Sequence, residues 1–371
     1  MSRHLVLAGA GHAHLTLLSS MAGFLNDGHR VTVVSPSKYH YYSGMGPGML
    51  GGIYAPEAIR FPVCRMTEKA GGTFVQDSIT RIDPEQKTVT LASGKVLTYD
   101  LLSVNTGSYV SDTLIAGSRD DVFYVKPIDQ LMAARERIQG LPSASGEAAS
   151  VIAVVGGGPA AAEIAGNVWH LADRAGLSMP EIHLFAGTGL MTRFPVSVRK
   201  KVRHILTKRG VHIDETGFVK AVQTGCVTLA NGENRSADVI ILAPGVRPSP
   251  VFADCGLPVG PEGDLRVNAY LQCTRYPDIF GGGDCIYFEP CPLDKVGVYA
   301  VRQNPVLFQN IRAALAGAAM RPFEPGGDYL LIFNLGGRTG VLKKRWITFS
   351  GKPAFWIKDY IDRRFMAGFS G

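Results

Sequence analysis

Two glycine-rich turns limit what this chain can fold into, because each follows an apolar strand pattern and precedes a helical one. Gly9-Ala-Gly11 lies between a run at residues 5–8 and helical spacing over 14–25. Gly156-Gly-Gly158 lies between residues 151–155 and helical spacing over 160–175. Glycine lets such a turn close tightly and lets the backbone approach a pyrophosphate at the helix N-terminus. The sequence therefore predicts the same β-turn-α-β unit twice.

Composition excludes several other classes of protein. With 46% hydrophobic and 19% charged residues the chain is not disordered, and no apolar stretch reaches the roughly 18 residues of a transmembrane helix. Glycine makes 44 of the 371 residues, and many lie in clusters at 9–11, 44–52, 156–158 and 281–283. The six cysteines form no CxxC pair, so we expect no zinc ribbon and a reducing, cytoplasmic location.

Both turns depart from the full dinucleotide pattern. His14 and Ala161 replace the third glycine, and Ala161 is an accepted variant. The acid expected after the second strand is Ser35 in the first unit, where it can still hydrogen-bond a ribose hydroxyl. In the second unit that strand ends at Ala186, and the nearest arginine is Arg193. Each turn alone is also compatible with a purely structural glycine turn.

Three further segments follow in an order that favours nucleotide binding. Asn105-Thr106-Gly107 and Ala243-Pro-Gly245 each end an apolar strand, at 101–104 and 239–242. Gly281-Gly-Gly283-Asp284 then places a carboxylate after a glycine turn, where it can accept hydrogen bonds from polyol hydroxyls.

This series of motifs resembles the flavoproteins with two dinucleotide-binding domains, the pyridine nucleotide-disulfide oxidoreductase superfamily. The likeness is greatest to type II NADH dehydrogenases and sulfide:quinone oxidoreductases, and above all to the flavoprotein found free-standing or fused to selenide, water dikinase. Segments 11–14, 42–45, 300–303 and 356–366 carry that likeness. No cysteine lies in residues 1–63, so the redox dithiol of the disulfide reductases is not expected.

The resemblance implies an α/β fold of two Rossmann-like domains, one inserted in the other. The predicted FAD domain comprises residues 1–110 and 246–330, the NAD(P)-binding-like domain comprises 111–245, and a small C-terminal appendage comprises 331–371.

The resemblance also implies two sets of cofactor-binding residues. FAD is expected at Gly9, Gly11, His12, Ala13, Ser35, Pro36, Pro47, Thr106, Gly107, Gly283, Asp284 and Gln303. NAD(P)H is expected at Gly156, Gly158, Pro159, Ala161, Glu163 and Gly245. Glu163 and Gln303 are the candidate catalytic residues, although Glu163 is equally compatible with a helix surface. His12 and His14 have no third ligand nearby in sequence, so we predict no metal site.

The Asn304-Pro305 pair predicts a helix start, with Asn304 as N-cap and Pro305 as the first helical residue of a helix ending near Gly317. Under the resemblance, this N-terminus would point its positive end at the flavin and stabilise the reduced form. The alternative is a capped core helix.

The C-terminal appendage carries most of the net charge. Residues 331–371 contain eight Lys and Arg and two Asp, which gives +6 of the total +7. Interleaved with them are Trp346, Phe349, Phe355, Trp356, Tyr360, Phe365 and Phe369. Basic and aromatic residues together suit an anionic membrane surface, and the alternative is a homodimer interface or a cap on the FAD domain. No recognition fold for nucleic acid is present, so we expect no nucleic-acid partner.

We therefore predict an FAD-dependent oxidoreductase that takes hydride from NAD(P)H and passes electrons to a quinone-like acceptor. The predicted location is cytoplasmic, and peripheral attachment to the inner face of the cell membrane stays open. A sulfide- or selenium-linked flavoenzyme that uses Cys285 is one alternative. A flavin-binding redox sensor without turnover is the other.

Overall fold

The computed structural model describes residues 2–142 and 149–369. The Gly140–Ser150 segment, whose composition predicts a linker, therefore lies partly outside the described residues. The helices are Leu15–Ser19, Met21–Asn26, Gly46–Leu50, Val63–Lys69, Gln130–Gln139, Pro159–Ala175, Val196–Lys208, Val251–Asp254, Gly297–Ala316 and Lys352–Ala367. Short 3-10 turns lie at His12–His14, Ser43–Met45, Pro56–Ile59, Asp112–Leu114 and Gly283–Cys285.

The first five-stranded sheet is parallel and contains the first glycine turn. Its strands, in spatial order, are Ile279–Gly281, Leu101–Val104, His4–Ala8, Arg30–Ser35 and Thr73–Gln76. The three central strands are almost wholly buried, which explains their continuous apolar sequence. One edge strand comes from residues 279–281, so this sheet is assembled from two distant parts of the chain.

The second five-stranded sheet is also parallel and contains the second glycine turn. Its order is Val122–Tyr124, Val239–Leu242, Val151–Val155, Glu181–Phe185 and His212–Asp214. All of its strands lie between residues 122 and 242. The two parallel sheets confirm the predicted α/β fold class with two Rossmann-like units, whereas the exact domain boundaries stay a prediction.

Smaller sheets accompany the two large ones. Three-stranded antiparallel sheets are formed by Ile79–Asp83, Thr88–Leu91 and Val96–Thr98, by Val219–Gln223, Cys226–Leu229 and Asn234–Ser236, and by Leu331–Asn334, Gly340–Lys344 and Ile347–Gly351. Two-stranded pairs are His40–Tyr41 with Arg60–Phe61, Ser108–Tyr109 with Arg247–Pro248, and Leu265–Val267 with Ile286–Phe288.

The predicted start of the long helix at Asn304 is wrong. The helix begins at Gly297 and runs to Ala316, with Pro305 inside it. Asn304 does not cap this helix, because its Oδ1 accepts a hydrogen bond from the N–H of Thr16 at 2.9 Å. A proline is tolerated inside a helix when the surrounding packing compensates for the lost hydrogen bond.

The C-terminal appendage is a three-stranded antiparallel sheet followed by the helix Lys352–Ala367. Its first strand packs on the helix Pro159–Ala175 so closely that a Cβ on Gly166 would overlap the backbone of Leu335. Arg209 donates hydrogen bonds to the carbonyls of Leu335 and Gly336. Lys358 donates to the carbonyl of Gly44 at 2.7 Å, so the appendage contacts both large units.

Candidate functional site

Three strand ends of the first sheet bring the predicted FAD residues to one edge. Gly9, Asn105 and Gly283 follow neighbouring parallel strands, and ligands of such sheets bind at the carboxyl ends of the strands. Asn105 connects these turns, since its Oδ1 accepts from the Ala13 N–H at 3.2 Å and its Nδ2 donates to the Gly282 carbonyl at 2.5 Å.

The first glycine turn is built around Asn105. Gly9 has a φ of +88°, and a Cβ on Gly9 or Gly11 would overlap Asn105. The backbone N–H groups of Ala10 and Gly11 donate no hydrogen bond to another described residue. Glycine is thus needed here for close packing within the protein, and the turn still presents free donors of the kind that bind a pyrophosphate.

His14, in the place of the third glycine, is a satisfied core residue. It is fully buried, and its Nδ1 donates to the Gly9 carbonyl at 2.7 Å while its Nε2 accepts from the Ser103 hydroxyl at 2.8 Å. Burial lowers the pKa of His14 to about 4, so the ring is neutral near pH 7. His14 therefore has no free nitrogen for a ligand.

His12 has the opposite environment. It is 8% exposed, and its Nδ1 lies 3.1 Å from Nε2 of His40. One of these two nitrogens donates a hydrogen bond to the other. Its other nitrogen, Nε2, is buried and has no partner among the described residues. Burial lowers the pKa of His12 to about 4. A buried polar atom without a partner is destabilising, which marks Nε2 as a place for a ligand atom.

Asp284 is the largely buried carboxylate of the same edge, with its side chain 12% exposed. Its Oδ2 accepts from the Ser108 hydroxyl at 2.7 Å and from Lys126 Nζ at 2.8 Å. Burial alone would raise the pKa of Asp284, but the Lys126 charge and these hydrogen bonds hold it below its usual value. The carboxylate is therefore ionised at neutral pH and acts as an acceptor.

Gln303 is positioned by the turn that carries Asp284. It is 1% exposed, and its Oε1 accepts from the Gly283 N–H at 2.7 Å. A small cavity beside this turn is lined by Gly283, Asp284, Val296 and Tyr299. The true N-terminus of the long helix, near Gly297, therefore lies at this edge even though the predicted start was misplaced.

The remaining predicted FAD residues surround this edge less closely. Ser35 is buried at the end of the strand Arg30–Ser35, and its carbonyl accepts from the Asp77 N–H at 3.0 Å. Pro47 is buried in the helix Gly46–Leu50. Thr106 is exposed, and Gly107 has a φ of +70° with open space beside it. Among the described residues no hydrogen bond joins Pro36, Pro47 or Thr106 to His12 or Asp284, so their roles stay predictions.

The second glycine turn forms the corresponding edge of the second sheet. Gly156 has a φ of +143° and packs against the carbonyl of Ala243, while Ala161 is buried beside it. Gly158 and Gly245 have no heavy atom within 4 Å of a built Cβ, so the space beside both is open. Pro159 begins the helix Pro159–Ala175, the position where proline is favoured.

Glu163 lies where this helix meets the appendage. Its Oε1 accepts from the Asn334 N–H at 2.7 Å. The pKa of Glu163 is raised to about 7, mainly by burial and to a smaller extent by the Asp362 charge. The Lys358 charge and the Asn334 hydrogen bond act in the opposite direction and lower this pKa. Glu163 can thus hold or release a proton near neutral pH, which a surface glutamate would not do.

Lys358 and Asp362 form a buried ion pair next to Glu163. Lys358 Nζ lies 2.6 Å from Asp362 Oδ2, and the Tyr42 hydroxyl donates to Asp362 Oδ1 at 3.1 Å. The motif order in the sequence did not identify Lys126, Asn105 or this pair as part of the site. Of these residues, only Asn105 could have been identified from the sequence, because it lies in a strand-end motif. The other residues make contacts between segments far apart in the chain, which a local motif does not predict.

No group of three or more His, Cys, Asp or Glu side chains suitable for a metal ion occurs in the part of the chain that the structure describes.

The fold and the site define a class of protein with two Rossmann-like units, each with a glycine turn at the carboxyl edge of its parallel sheet. A model of the pyridine nucleotide-disulphide oxidoreductase family matches residues 3–314. The chain belongs to this family.

Relatives of this chain extend over nearly its whole length. It is 25% identical to a type II NADH:quinone oxidoreductase of Staphylococcus saprophyticus and 26% identical to one of Staphylococcus aureus, with 98% of this chain and 94% of each relative covered.

Two solved structures have the same fold. The sulfide:quinone oxidoreductase of Aquifex aeolicus has a TM-score of 0.77 at 19% identity, covering 99% of this chain and 91% of that one. The NDH2 of Plasmodium falciparum in complex with NADH has a TM-score of 0.80 at 15% identity, covering 98% and 96%. Together with the family match, the relatives confirm the predicted resemblance to the type II NADH dehydrogenases within this family. The finer likeness to the flavoprotein fused to selenide, water dikinase stays a prediction.

Proposed function

We propose that this chain is an FAD-dependent NAD(P)H dehydrogenase that passes electrons to a quinone-like acceptor. The observation that carries the proposal is the pair of glycine-turn edges, of which the first combines free backbone donors, a buried His12 nitrogen without a partner among the described residues and the largely buried, ionised Asp284. The relatives named type II NADH:quinone oxidoreductase, which match both units, support the same donor and acceptor.

The residues of the first edge fit FAD. The N–H groups of Ala10 and Gly11 suit its pyrophosphate, and Nε2 of His12 gains a partner when a ligand atom lies beside it. In the described part of the chain Asp284 accepts hydrogen bonds through Oδ2 alone, so Oδ1 is available to a ribityl hydroxyl. Bound FAD supplies the two-electron chemistry, which side chains cannot provide.

The protein's own residues orient the reactants and manage protons. Gln303 and the Gly283 N–H hold the turn next to Asp284, while Gly158 and Gly245 leave room for the nicotinamide nucleotide. Glu163, with a pKa near 7, is suited to hold the proton that quinone reduction consumes beyond the transferred hydride.

The appendage supports a peripheral membrane location for the acceptor side. No helix among residues 2–142 and 149–369 is long and apolar enough to cross a bilayer. The appendage nevertheless exposes Trp346, Trp356 and Tyr360 at 87%, 57% and 64%, next to exposed cations at 344, 345, 352 and 364. We propose that this surface, which we call the Trp346 face, lies on an anionic membrane at the cytoplasmic side. A homodimer interface is the alternative.

Anaerobic titration of the FAD-loaded protein with NADH tests the proposal. We expect the flavin absorbance at about 450 nm to bleach, and a soluble quinone to restore it. If neither NADH nor NADPH bleaches the flavin, the donor assignment is wrong and the redox-sensor alternative is favoured.

The sulfide alternative depends on Cys285. Its side chain is fully buried, and its Sγ lies 3.3 Å from the Gly282 carbonyl. Burial raises the pKa of the Cys285 thiol, which disfavours the reactive thiolate. Cys285→Ser should therefore leave NADH-dependent flavin reduction in place, and loss of turnover with this variant would favour sulfur chemistry.

A further inference from the structure

The strand Glu181–Phe185 ends without the acidic residue that usually selects NAD. In dinucleotide-binding folds a carboxylate at this point binds the ribose 2′-hydroxyl and repels a 2′-phosphate. Here the position is Ala186, which is 4% exposed, followed by Gly187 and Thr188. The site therefore lacks a built-in discrimination against NADPH at this position.

The loop that follows Ala186 packs directly on the second glycine turn. The Met191 N–H donates to the Gly157 carbonyl at 2.6 Å, and a Cβ on Gly157 would lie 2.6 Å from the Ala186 carbonyl oxygen. Residues 187–193 consequently border the place where the adenosine ribose lies when a pyrophosphate occupies that turn.

Two carboxylates near this loop are already committed to protein partners. Asp214 accepts from the N–H and the hydroxyl of Thr216 at 2.9 and 2.6 Å. Glu215 accepts from the Leu190 N–H at 2.6 Å and from Arg203 at 2.5 Å. Although burial opposes ionisation, these contacts and the charge of Arg199 hold the pKa of Glu215 below its usual value. Glu215 thus fixes the loop, with its charge balanced by arginine.

Two arginines border the same loop. Arg193 is exposed and makes no hydrogen bond or ion pair with another described residue. Arg199 donates through Nε to the Leu190 carbonyl at 3.3 Å, and one of its terminal nitrogens lies 3.9 Å from a Cβ built on Gly189. A guanidinium group can bind a phosphate through two parallel hydrogen bonds, so both side chains suit a 2′-phosphate.

We propose that the second nucleotide site accepts NADPH as well as NADH, and that Arg193 and Arg199 contact the 2′-phosphate. The proposal rests on the proposed function, because it concerns the electron donor of the same site.

The test compares two donors and one pair of unreactive ligands on the FAD-loaded protein. Anaerobic flavin reduction by NADPH should have a kcat/KM within about tenfold of that with NADH. In equilibrium binding, 2′,5′-ADP should bind about tenfold or more tightly than 5′-AMP, because the two ligands differ only in the 2′-phosphate.

The variants separate phosphate contact from a structural role. Arg193→Ala and Arg199→Ala should each lower kcat/KM for NADPH and affinity for 2′,5′-ADP by about 10- to 100-fold, and change the values for NADH by about twofold or less. Lys208→Ala, an exposed cation at the far end of the helix Val196–Lys208, is the matched control and should change neither.

Three outcomes overturn the proposal. In the first, NADH reduces the flavin efficiently, the kcat/KM with NADPH is lower by more than about 100-fold, and 2′,5′-ADP binds no more tightly than 5′-AMP. This outcome leaves the proposed function intact. The second is an equal loss with both donors in the arginine variants. In the third, neither donor reduces the flavin and 2′,5′-ADP binds no more tightly than 5′-AMP. The proposed function then fails as well.

Discussion

His12 and His14 lie two residues apart and show what a motif can and cannot predict about a single side chain. The glycine spacing predicted His12 in the turn after a strand and His14 at the start of the helical spacing, whereas the structure has both in the 3-10 turn His12–His14, directly before the helix Leu15–Ser19. The motif could not predict that Ser103 and Gly9 satisfy His14 while His40, 28 residues from His12 in sequence, leaves one His12 nitrogen unpartnered. Those contacts depend on which strands become neighbours, which a local pattern does not contain.

Glu163 gives a pH-dependent prediction at the residue scale. Burial raises its pKa from the model-peptide value of 4.5 to about 7, so between these pH values the folded state binds more protons than the unfolded state. The contribution of this group to the free energy of unfolding therefore falls as pH rises through that window. Glu163→Gln keeps an oxygen for the Asn334 N–H and removes the titration, so the variant should gain thermal stability relative to the natural protein as pH rises.

Thermal unfolding of both proteins at pH 5, 6, 7 and 8 measures this difference, and other titrating groups cancel in the comparison. A difference in Tm that stays constant across the series would show that Glu163 is ionised throughout. The same substitution should lower the rate of quinone reduction more than the rate of flavin bleaching by NADH, because only the former consumes the second proton.

At the scale of elements, buried parallel strands were more predictable than the long helix. Strands 101–104, 151–155 and 239–242 were predicted with the bounds that the structure shows, since all three are runs of apolar residues, broken only by Ser103, and nearly all of their residues are buried in the two parallel sheets. The strand Gly340–Lys344 was missed because its sequence combines glycine with adjacent lysines. The long helix was misplaced because Asn304 and Pro305 imitate a helix start, while the Asn304 side chain binds a different helix.

Pro305→Ala distinguishes the two positions of the helix start. Inside the helix Gly297–Ala316, alanine restores an N–H that can donate to the Val301 carbonyl, and Pro305 is exposed, so no packing is lost. We expect the free energy of unfolding to rise by about 1–3 kcal/mol, after allowance for the more flexible unfolded chain. Urea denaturation measures the change.

Pro353→Ala is the control for this prediction. Pro353 lies in the first turn of the helix Lys352–Ala367, where proline is favoured, so its replacement should change stability by about 0.5 kcal/mol or less. Equal effects of the two substitutions would contradict an interior position for Pro305.

For the whole molecule, the repeated glycine turn was enough to predict two parallel sheets, but not how the appendage joins them. Its first strand packs on Gly166 of the second unit, and Lys358 binds the Gly44 carbonyl of the first. Because of this packing, several of the basic and aromatic residues that suggested a membrane-binding surface lie inside the protein. Lys358 is buried beside Asp362, and the ring centroids of Phe365 and Phe369 both lie 6.1 Å from that of Phe61.

The Trp346 face consists of the side chains that this packing leaves exposed, and it gives a prediction for the molecule as a whole. Trp346 lies in the hairpin between Gly340–Lys344 and Ile347–Gly351, while Trp356, Ile357, Tyr360 and Ile361 lie on the exposed side of the last helix. Aromatic and aliphatic side chains next to Lys and Arg gain free energy at a bilayer interface, from apolar burial and from attraction to anionic lipid. We therefore expect the FAD-loaded protein to sediment with vesicles of equal parts phosphatidylcholine and phosphatidylglycerol, and to do so less at high salt.

Replacing both tryptophans, Trp346→Ser with Trp356→Ser, should weaken vesicle binding by about tenfold and leave NADH-dependent flavin bleaching unchanged, because both side chains are exposed and neither belongs to the glycine-turn edges. Val96→Ser removes a comparably exposed apolar side chain, 55% exposed, from the first unit and should have no effect on binding. If the double variant binds vesicles as the natural protein does and instead converts a dimer to a monomer in sedimentation, the Trp346 face is a contact between two copies of the chain. A vesicle-binding loss without any change in oligomeric state assigns this face to the membrane.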